Sequence, residues 1–194
     1  MHAEEALPDL PLYSLDVQAM DLGPGVKAVG LELIETESRE PVRGPEAASI
    51  WAAALHAIVA KEPFALDFFS HLDRVRDFCA AHSVAYREAA SRCIVLPQPS
   101  PDLLRLILAR FEAETFGLRV GPAAESEDPA LEGDLSERGQ DAYEPAYARY
   151  TCCAVCEPSD GWVTILSQSL WPSELIRRAR PALQPFDVYI ARPQ

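Results

Sequence analysis

The fold is decided by residues 146–191, which read AYARYTCCAVCEPSDGWVTILSQSLWPSELIRRARPALQPFDVYIA. Ala146–Cys156 is a largely apolar run that predicts a strand, and Trp162–Leu166 has the β-branched composition of its return strand. Between them, Pro158–Gly161 has the composition of a tight turn in which Gly161 takes a positive φ. We therefore predict a β-hairpin here.

A helix and a last strand follow this hairpin. Pro172 suits the first turn of a helix, because its missing N–H would have no partner there. The helix should continue to Arg180 and end at Pro181, which cannot donate a helical hydrogen bond. Phe186–Ala191 then predicts a strand. The end of the chain is thus expected to form a hairpin–helix–strand unit.

The remaining chain alternates between strand-like and helix-like patterns. Ser100 is a suitable N-cap with Pro101 at the first helical position, and Gly117 and Gly121 are expected to lie in a turn after that helix. The other predicted elements are an N-terminal hairpin of strands Leu10–Asp21 and Val26–Ile34 with a turn at Gly23–Gly25, a strand at Arg92–Leu96, and helices at Glu46–Lys61 and Leu66–His82. This order predicts an α+β fold with a mixed, mostly antiparallel sheet and helices packed on one face.

The length of 194 residues predicts a single α+β domain. Residues 1–8 are expected to be a frayed tail, and residues from about 120 to 145 an exposed acidic excursion. Segment 112–145 carries ten acidic residues and only two basic ones, Arg119 and Arg138. A split into two lobes near residue 120 is the alternative organisation.

The charge of the chain limits its partners. The formal net charge is −13, and a phosphate backbone or an anionic membrane surface requires a basic face. We therefore predict no direct nucleic-acid partner and no membrane partner. The first ten residues contain Glu4, Glu5 and Asp9 and no basic–apolar signal, which predicts a cytoplasmic location.

Five cysteines are present, and three of them lie in Cys152–Cys156. Cys153 and Cys156 have C-x-x-C spacing, which can bind zinc or carry out redox chemistry when it lies in a tight turn. In a strand, residues three apart point to opposite faces, so this pair cannot share a metal ion. We predict core packing for these thiols and no metal site.

Other candidate sites have weaker patterns. Cys79 and His82 are three apart in a predicted helix, with His71 two to three turns earlier, which could place a nucleophile beside a base. The acidic cluster Glu125, Glu127 and Asp128 lacks the spacing of a calcium loop. Glycine-containing turns at 23–25 and 117–121 lack nucleotide-loop spacing, so no cofactor is predicted.

The stretch Trp171–Arg178 gives the candidate binding residues. Trp and Arg are the usual anchors of protein interfaces, and Trp171, Arg177 and Arg178 occur together on the last predicted helix. The alternative is purely structural, because Glu174 and Arg178 form an i,i+4 pair and arginines suit a helix C-terminus.

Three function classes remain open on the sequence. The first is a non-enzymatic accessory or protein-interaction protein, such as a complex subunit, an immunity protein or a chaperone-like protein. The second is an enzyme whose Cys/His site is assembled only in the fold. The third is an acidic decoy, in which residues 112–145 imitate nucleic acid for a basic partner.

Overall fold

The computed structural model describes residues 10–21, 27–59, 62, 64–68, 72–89, 93–96, 100–121, 151–167 and 170–191. These residues form nine strands and four α-helices: β1 (Tyr13–Asp21), β2 (Lys27–Glu35), α1 (Gly44–Val59), β3 (Phe64–Phe68), α2 (Leu72–Ala81), β4 (Arg87–Ala89), β5 (Cys93–Leu96), α3 (Pro101–Arg110), β6 (Phe116–Val120), β7 (Cys152–Glu157), β8 (Trp162–Leu166), α4 (Pro172–Leu183) and β9 (Val188–Ile190).

The strands form one sheet in the order β4-β5-β3-β6-β7-β8-β2-β1-β9. Every neighbouring pair is antiparallel except β1 and β9, which are parallel. Strand β6 pairs with both β3 and β7, so strands before and after residue 120 share this sheet. The predicted α+β fold and mixed, mostly antiparallel sheet are confirmed.

The main core lies between one face of the sheet and the helices. One row of facing residues crosses five strands on this face and is fully buried: Val17, Leu31, Val163, Cys156 and Phe116. Buried residues from α1, α2, α3 and α4 belong to the same cluster, so the helices pack on one face as predicted. No helix in the described ranges has the length and apolar character needed to cross a bilayer.

Helix α1 is central to the helical layer, because it contacts both α3 and α4. Its large apolar residues Ile50, Trp51, Leu55 and Ile58 are each about 1% exposed. Burying an aliphatic side chain of this size contributes about 1.5–3 kcal/mol. The alanines that separate these residues allow neighbouring helices to approach closely.

Local signals in the sequence are confirmed at two element ends. The Ser100 Oγ accepts a hydrogen bond from the Leu103 N–H at 3.1 Å, and Pro101 is the first residue of α3. In the β7–β8 hairpin, Gly161 has a φ of +65°. A Cβ at Gly161 would also lie 2.7 Å from the Leu33 carbonyl oxygen. Both the positive φ and this close contact therefore exclude a side chain at position 161.

The predicted helix Leu66–His82 is wrong over its first part. Residues 64–68 form strand β3, and the helix comprises Leu72–Ala81. Strand β3 is an interior strand, paired on its two sides with β5 and β6. Its hydrogen-bond partners are distant in the sequence, and this pairing overrides the helical spacing of the local apolar residues.

Two further predictions are corrected. Gly117 lies inside strand β6 rather than in a turn, because β6 is paired on both sides by β3 and β7. Helix α4 continues through Pro181 to Leu183. Pro181 removes only the bond to the carbonyl of Arg177, and both residues are on the exposed side, where water can replace that bond.

Several predictions fall on residues outside the described ranges. These are the frayed tail, the turn at 23–25, the acidic cluster at 125–128 and nearly all of the excursion from about 120 to 145. The organisation as one domain, with a two-lobe split near 120 as the alternative, stays a prediction.

The second face of the sheet has its own close packing at Gly30. A Cβ at Gly30 would lie 2.5 Å from Cζ2 of Trp162 and 3.0 Å from the sulfur of Met20. The Trp162 indole is fixed in this position, because its Nε1–H donates to Thr164 Oγ1 at 2.8 Å. The indole therefore covers a strand position that only glycine can occupy.

Gly30→Ala should lower the free energy of unfolding by about 1–3 kcal/mol, because the added methyl displaces the Trp162 ring. In a Trp162→Ala background the same change should be neutral or stabilising, since alanine loses less backbone entropy than glycine. Urea unfolding of the two single variants and the double variant measures this coupling. Equal costs of Gly30→Ala in both backgrounds would contradict the proposed contact.

Candidate functional site

Trp171 is positioned by the first turn of α4. Its backbone carbonyl accepts a hydrogen bond from the Leu175 N–H at 3.0 Å, and Pro172 is the first helical residue. The preceding residue is also fixed, because the Leu170 N–H donates to Ser167 Oγ at 3.2 Å. The backbone around Trp171 is therefore held on both sides.

A chain of hydrogen bonds ties this segment to the rest of the fold. Ser167 Oγ donates to the Thr151 carbonyl at 2.8 Å, and Thr151 Oγ1 donates to Glu62 Oε2 at 2.5 Å. Gly121 has a φ of +125°, and a Cβ there would lie 2.8 Å from Thr151 Oγ1. Glu62 follows α1 and Thr151 precedes β7, so the segment before α4 is linked to both elements.

An apolar cavity of about 260 Å³ lies beside Trp171. One wall is the end of the β1–β2 hairpin, and the other is the segment that leads into α4. The residues that line it within the described part of the chain are Ala19, Met20, Ala28, Val29, Ser167, Leu170, Trp171 and Pro172. Ser167 is the single polar residue among them, and its hydroxyl is already used in the two bonds described above. Trp171 is 48% exposed, so its ring lies at the mouth of this cavity.

Glu174 lies in the first turn of α4 and binds two arginines. Its carboxylate accepts hydrogen bonds from Nε and Nη2 of Arg177, both at 2.7 Å, and from Nε of Arg178 at 2.8 Å. These hydrogen bonds lower the pKa of Glu174 from 4.5 to about 2. The ionised Glu174 therefore holds both guanidinium groups in place.

The two arginines differ in their surroundings. The Arg178 Nη1 donates to the carbonyl oxygen of Ile58 at 2.9 Å, in the last turn of α1. This bond satisfies a carbonyl at the negative end of the α1 dipole, so Arg178 joins α4 to α1. The Arg177 side chain is 70% exposed and points into solvent beyond Glu174. We define the Trp171 surface as Trp171, Arg177 and the lining of the cavity.

The candidate cysteine sites have the properties of core residues. Strand β7 is confirmed over Cys152–Glu157, with Cys152 and Cys156 in the main core, whereas Cys153 pairs with Arg119 and Leu166 on the second face. Burial raises the pKa of the Cys152 and Cys156 thiols far above the usual range. A raised pKa removes the thiolate that a nucleophile or metal ligand requires.

The Cys79 and His82 pair is also not assembled as a reactive site. Burial raises the pKa of the Cys79 thiol, whereas His82 is exposed at the end of α2 and its ring lies 4.6 Å from that of Phe78. His71 is outside the described residues. No three Cys, His, Asp or Glu side chains within the described part of the chain are grouped so that they could hold a metal ion.

The cavity is the part of the site that sequence reasoning missed. Met20 and Ala28 reach it because they are paired across the β1–β2 hairpin, and Ala28 is paired with Leu166 of β8. These pairings place the hairpin next to a segment about 150 residues later in the chain. No local pattern at Met20 or Ala28 indicates this neighbour.

Comparison with protein-family models, with curated proteins and with solved structures gives no match for this chain.

Arg178→Ala should lower the free energy of unfolding by about 1.5–3 kcal/mol, because a charged hydrogen bond to a helix-terminal carbonyl is lost. Arg177→Ala should have a smaller effect, since Arg177 makes only the exposed pair with Glu174. Thermal unfolding of both variants tests this difference. If Arg177→Ala is the more damaging change, the assignment of structural and surface roles is wrong.

Glu174 should contribute to the pH dependence of stability. Its pKa is lower in the folded chain than the ordinary 4.5, so its contribution is complete above about pH 4.5 and is lost as the pH falls towards 2. Glu174→Gln should therefore lower the free energy of unfolding near neutral pH, and it should lower it by less at acid pH. Urea unfolding of both proteins across this range measures the difference, and parallel pH curves would contradict the role of Glu174.

Proposed function

We propose that this chain is a non-enzymatic protein-interaction protein that binds a protein partner through the Trp171 surface. The observation that supports this most directly is a half-exposed tryptophan beside an apolar cavity. Exposing a large apolar ring costs free energy in water, and binding a partner recovers it. Tryptophan and arginine are the residue types most enriched among strongly contributing interface residues.

The rigidity of the segment adds support. The backbone on both sides of Trp171 is fixed by the bonds from Leu170 to Ser167 and from Leu175 to Trp171. A segment whose backbone is already ordered loses less entropy on binding, so more of its contact energy is retained as affinity. A purely structural tryptophan would bury its ring, as Trp51 does in the main core.

The cavity beside Trp171 has room for a side chain of a protein partner, because its volume is about 260 Å³. A cavity of about 150 Å³ is enough for benzene. One aromatic or large aliphatic side chain of a partner therefore fits the available space.

The enzyme alternative has less support. Burial raises the pKa of Cys79, Cys152 and Cys156, the opposite of what an activated thiol needs. The decoy alternative depends on residues 112–145. Within this range Glu112 accepts a hydrogen bond from the Gly44 N–H, and Glu114 forms an ion pair with Arg74. These two carboxylates have intramolecular roles, and the remaining acidic residues of the segment stay candidates.

Trp171→Ala should weaken binding to the partner by roughly thirtyfold or more, because hot-spot tryptophans contribute at least ~2 kcal/mol. The partner is first recovered by affinity purification with the full-length chain, and the purified pair is then titrated by calorimetry. Tyr189→Ala is the matched control, since Tyr189 is an aromatic residue with 55% exposure in the edge strand β9 and does not line the cavity.

Equal binding by the wild type and Trp171→Ala would refute the proposed surface. The decoy alternative makes a different prediction, because binding to a basic partner should fall steeply with added salt. If the chain is a decoy, neutralising Glu125, Glu127 and Asp128 should also weaken binding more than any change at Trp171 does.

A further inference from the structure

The guanidinium of Arg177 is oriented for a second carboxylate. Glu174 occupies one of its edges, the one formed by Nε and Nη2. The other edge, formed by Nη1 and the second hydrogen of Nη2, points away from Glu174. Nη1 makes no hydrogen bond within the described part of the chain, and the side chain is 70% exposed. A carboxylate can bind this outer edge with two parallel hydrogen bonds.

Glu174 also makes this binding geometry less costly. An unrestrained arginine loses up to about 2 kcal/mol of rotamer entropy when it is fixed in a complex. Two bonds at 2.7 Å already fix Arg177 before any partner arrives. The fixed geometry also favours a planar carboxylate over a single polar atom, because both donors of the edge point in the same direction.

The local charge agrees with this reading. Helix α4 contains three arginines and one glutamate, although the whole chain has a net charge of −13. Screening at physiological ionic strength limits exposed charges to about 8 Å. A partner segment that lies on α4 therefore interacts mainly with the charges of this helix, which are positive in sum, because three arginines stand against one glutamate.

We infer that the partner presents an acidic segment in which one bulky apolar side chain fills the cavity beside Trp171 and a nearby Asp or Glu binds the outer edge of Arg177. This inference rests on the proposed function and adds the chemistry of the partner. Trp171, Glu174 and Arg177 follow one another at intervals of three residues at the start of α4, so a partner segment that enters the cavity and binds Arg177 must pass over Glu174.

The helix geometry sets the spacing of the two partner groups. Arg177 is six residues after Trp171, which is about 9 Å along the helix axis and about 120° around it, so the two side chains are roughly 11–15 Å apart. An extended peptide advances about 3.3 Å per residue, so the acidic residue should lie roughly three to five positions from the apolar anchor. An acidic residue next to the anchor or far from it does not fit both sites.

The test is selection of short random peptides displayed on phage against the immobilised full-length chain. Trp171→Ala, Arg177→Glu and Arg180→Glu are used in parallel. Arg180→Glu is the matched control, because Arg180 is exposed on the same helix and the change in charge is identical. Circular dichroism of each variant confirms that it is folded, and Arg177→Gln provides a milder change at the same position.

Peptides selected by the wild type should share one aromatic or large aliphatic residue with an Asp or Glu roughly three to five positions away. Synthetic copies should bind Trp171→Ala at least roughly tenfold more weakly, since the aromatic contact is lost. They should bind Arg177→Glu at least roughly tenfold more weakly as well, since like charges then meet across the interface. They should bind Arg180→Glu about as well as the wild type. Selection on Arg177→Glu should replace the acidic residue by Lys or Arg.

Other outcomes overturn the inference. Peptides that depend on Trp171 but lack an acidic residue would contradict the partner chemistry and leave the proposed function in place. Equal losses with Arg177→Glu and Arg180→Glu would show general electrostatics rather than a specific pair. Absence of any peptide that depends on Trp171 would refute the inference, and titration of the purified partner then decides the proposed function separately.

Discussion

The packing of helix α1 is the interaction on which the rest of the structure depends. It lies between α3 and α4 and against the sheet, with Ile50, Trp51, Leu55 and Ile58 almost completely buried. Because α4 is positioned by α1, the Trp171 surface depends on the same contact. The bond from Arg178 to the Ile58 carbonyl makes this dependence specific, since it joins the C-terminal end of α1 to the second turn of α4.

Glu174 forms one ion-pair cluster with Arg177 and Arg178, and it holds these two arginines in different directions. Glu174 binds both, but Arg178 turns inward to α1, and Arg177 turns outward to solvent. A surface ion pair adds little stability by itself. Its larger effect here is to fix the direction of two long side chains, one towards α1 and one towards solvent.

The fold could be predicted where the signals are local. The Ser100 cap, the positive φ at Gly161 and the two hairpins depend on neighbouring residues, and each is confirmed. Strands β3 and β6 could not be predicted, because they gain their stability from strands that are distant in the sequence. The extension of α4 past Pro181 likewise depends on the exposure of the Arg177 carbonyl, which composition does not reveal.

The candidate site could likewise be predicted only in part from the sequence. Residue type alone identifies Trp171, Arg177 and Arg178 as candidates, because tryptophan and arginine are common interface anchors. The different directions of the two arginines depend on where α1 ends relative to α4, and the cavity depends on the hairpin register at Met20 and Ala28. Tertiary neighbours of this kind cannot be read from a single sequence.

The energetics of the cavity imply an interface larger than the Trp171 surface. An aromatic anchor buries about 150–250 Å², which at about 25 cal/mol per Å² gives roughly 4–6 kcal/mol. Lost translational and rotational freedom costs about 4–15 kcal/mol, so one anchor offsets only the lower part of that range. Stable interfaces bury about 1,200–2,000 Å² in total. In the proposed interface, a partner held at micromolar affinity or better must therefore also contact the surface around the cavity, and this wider contact would supply most of the affinity.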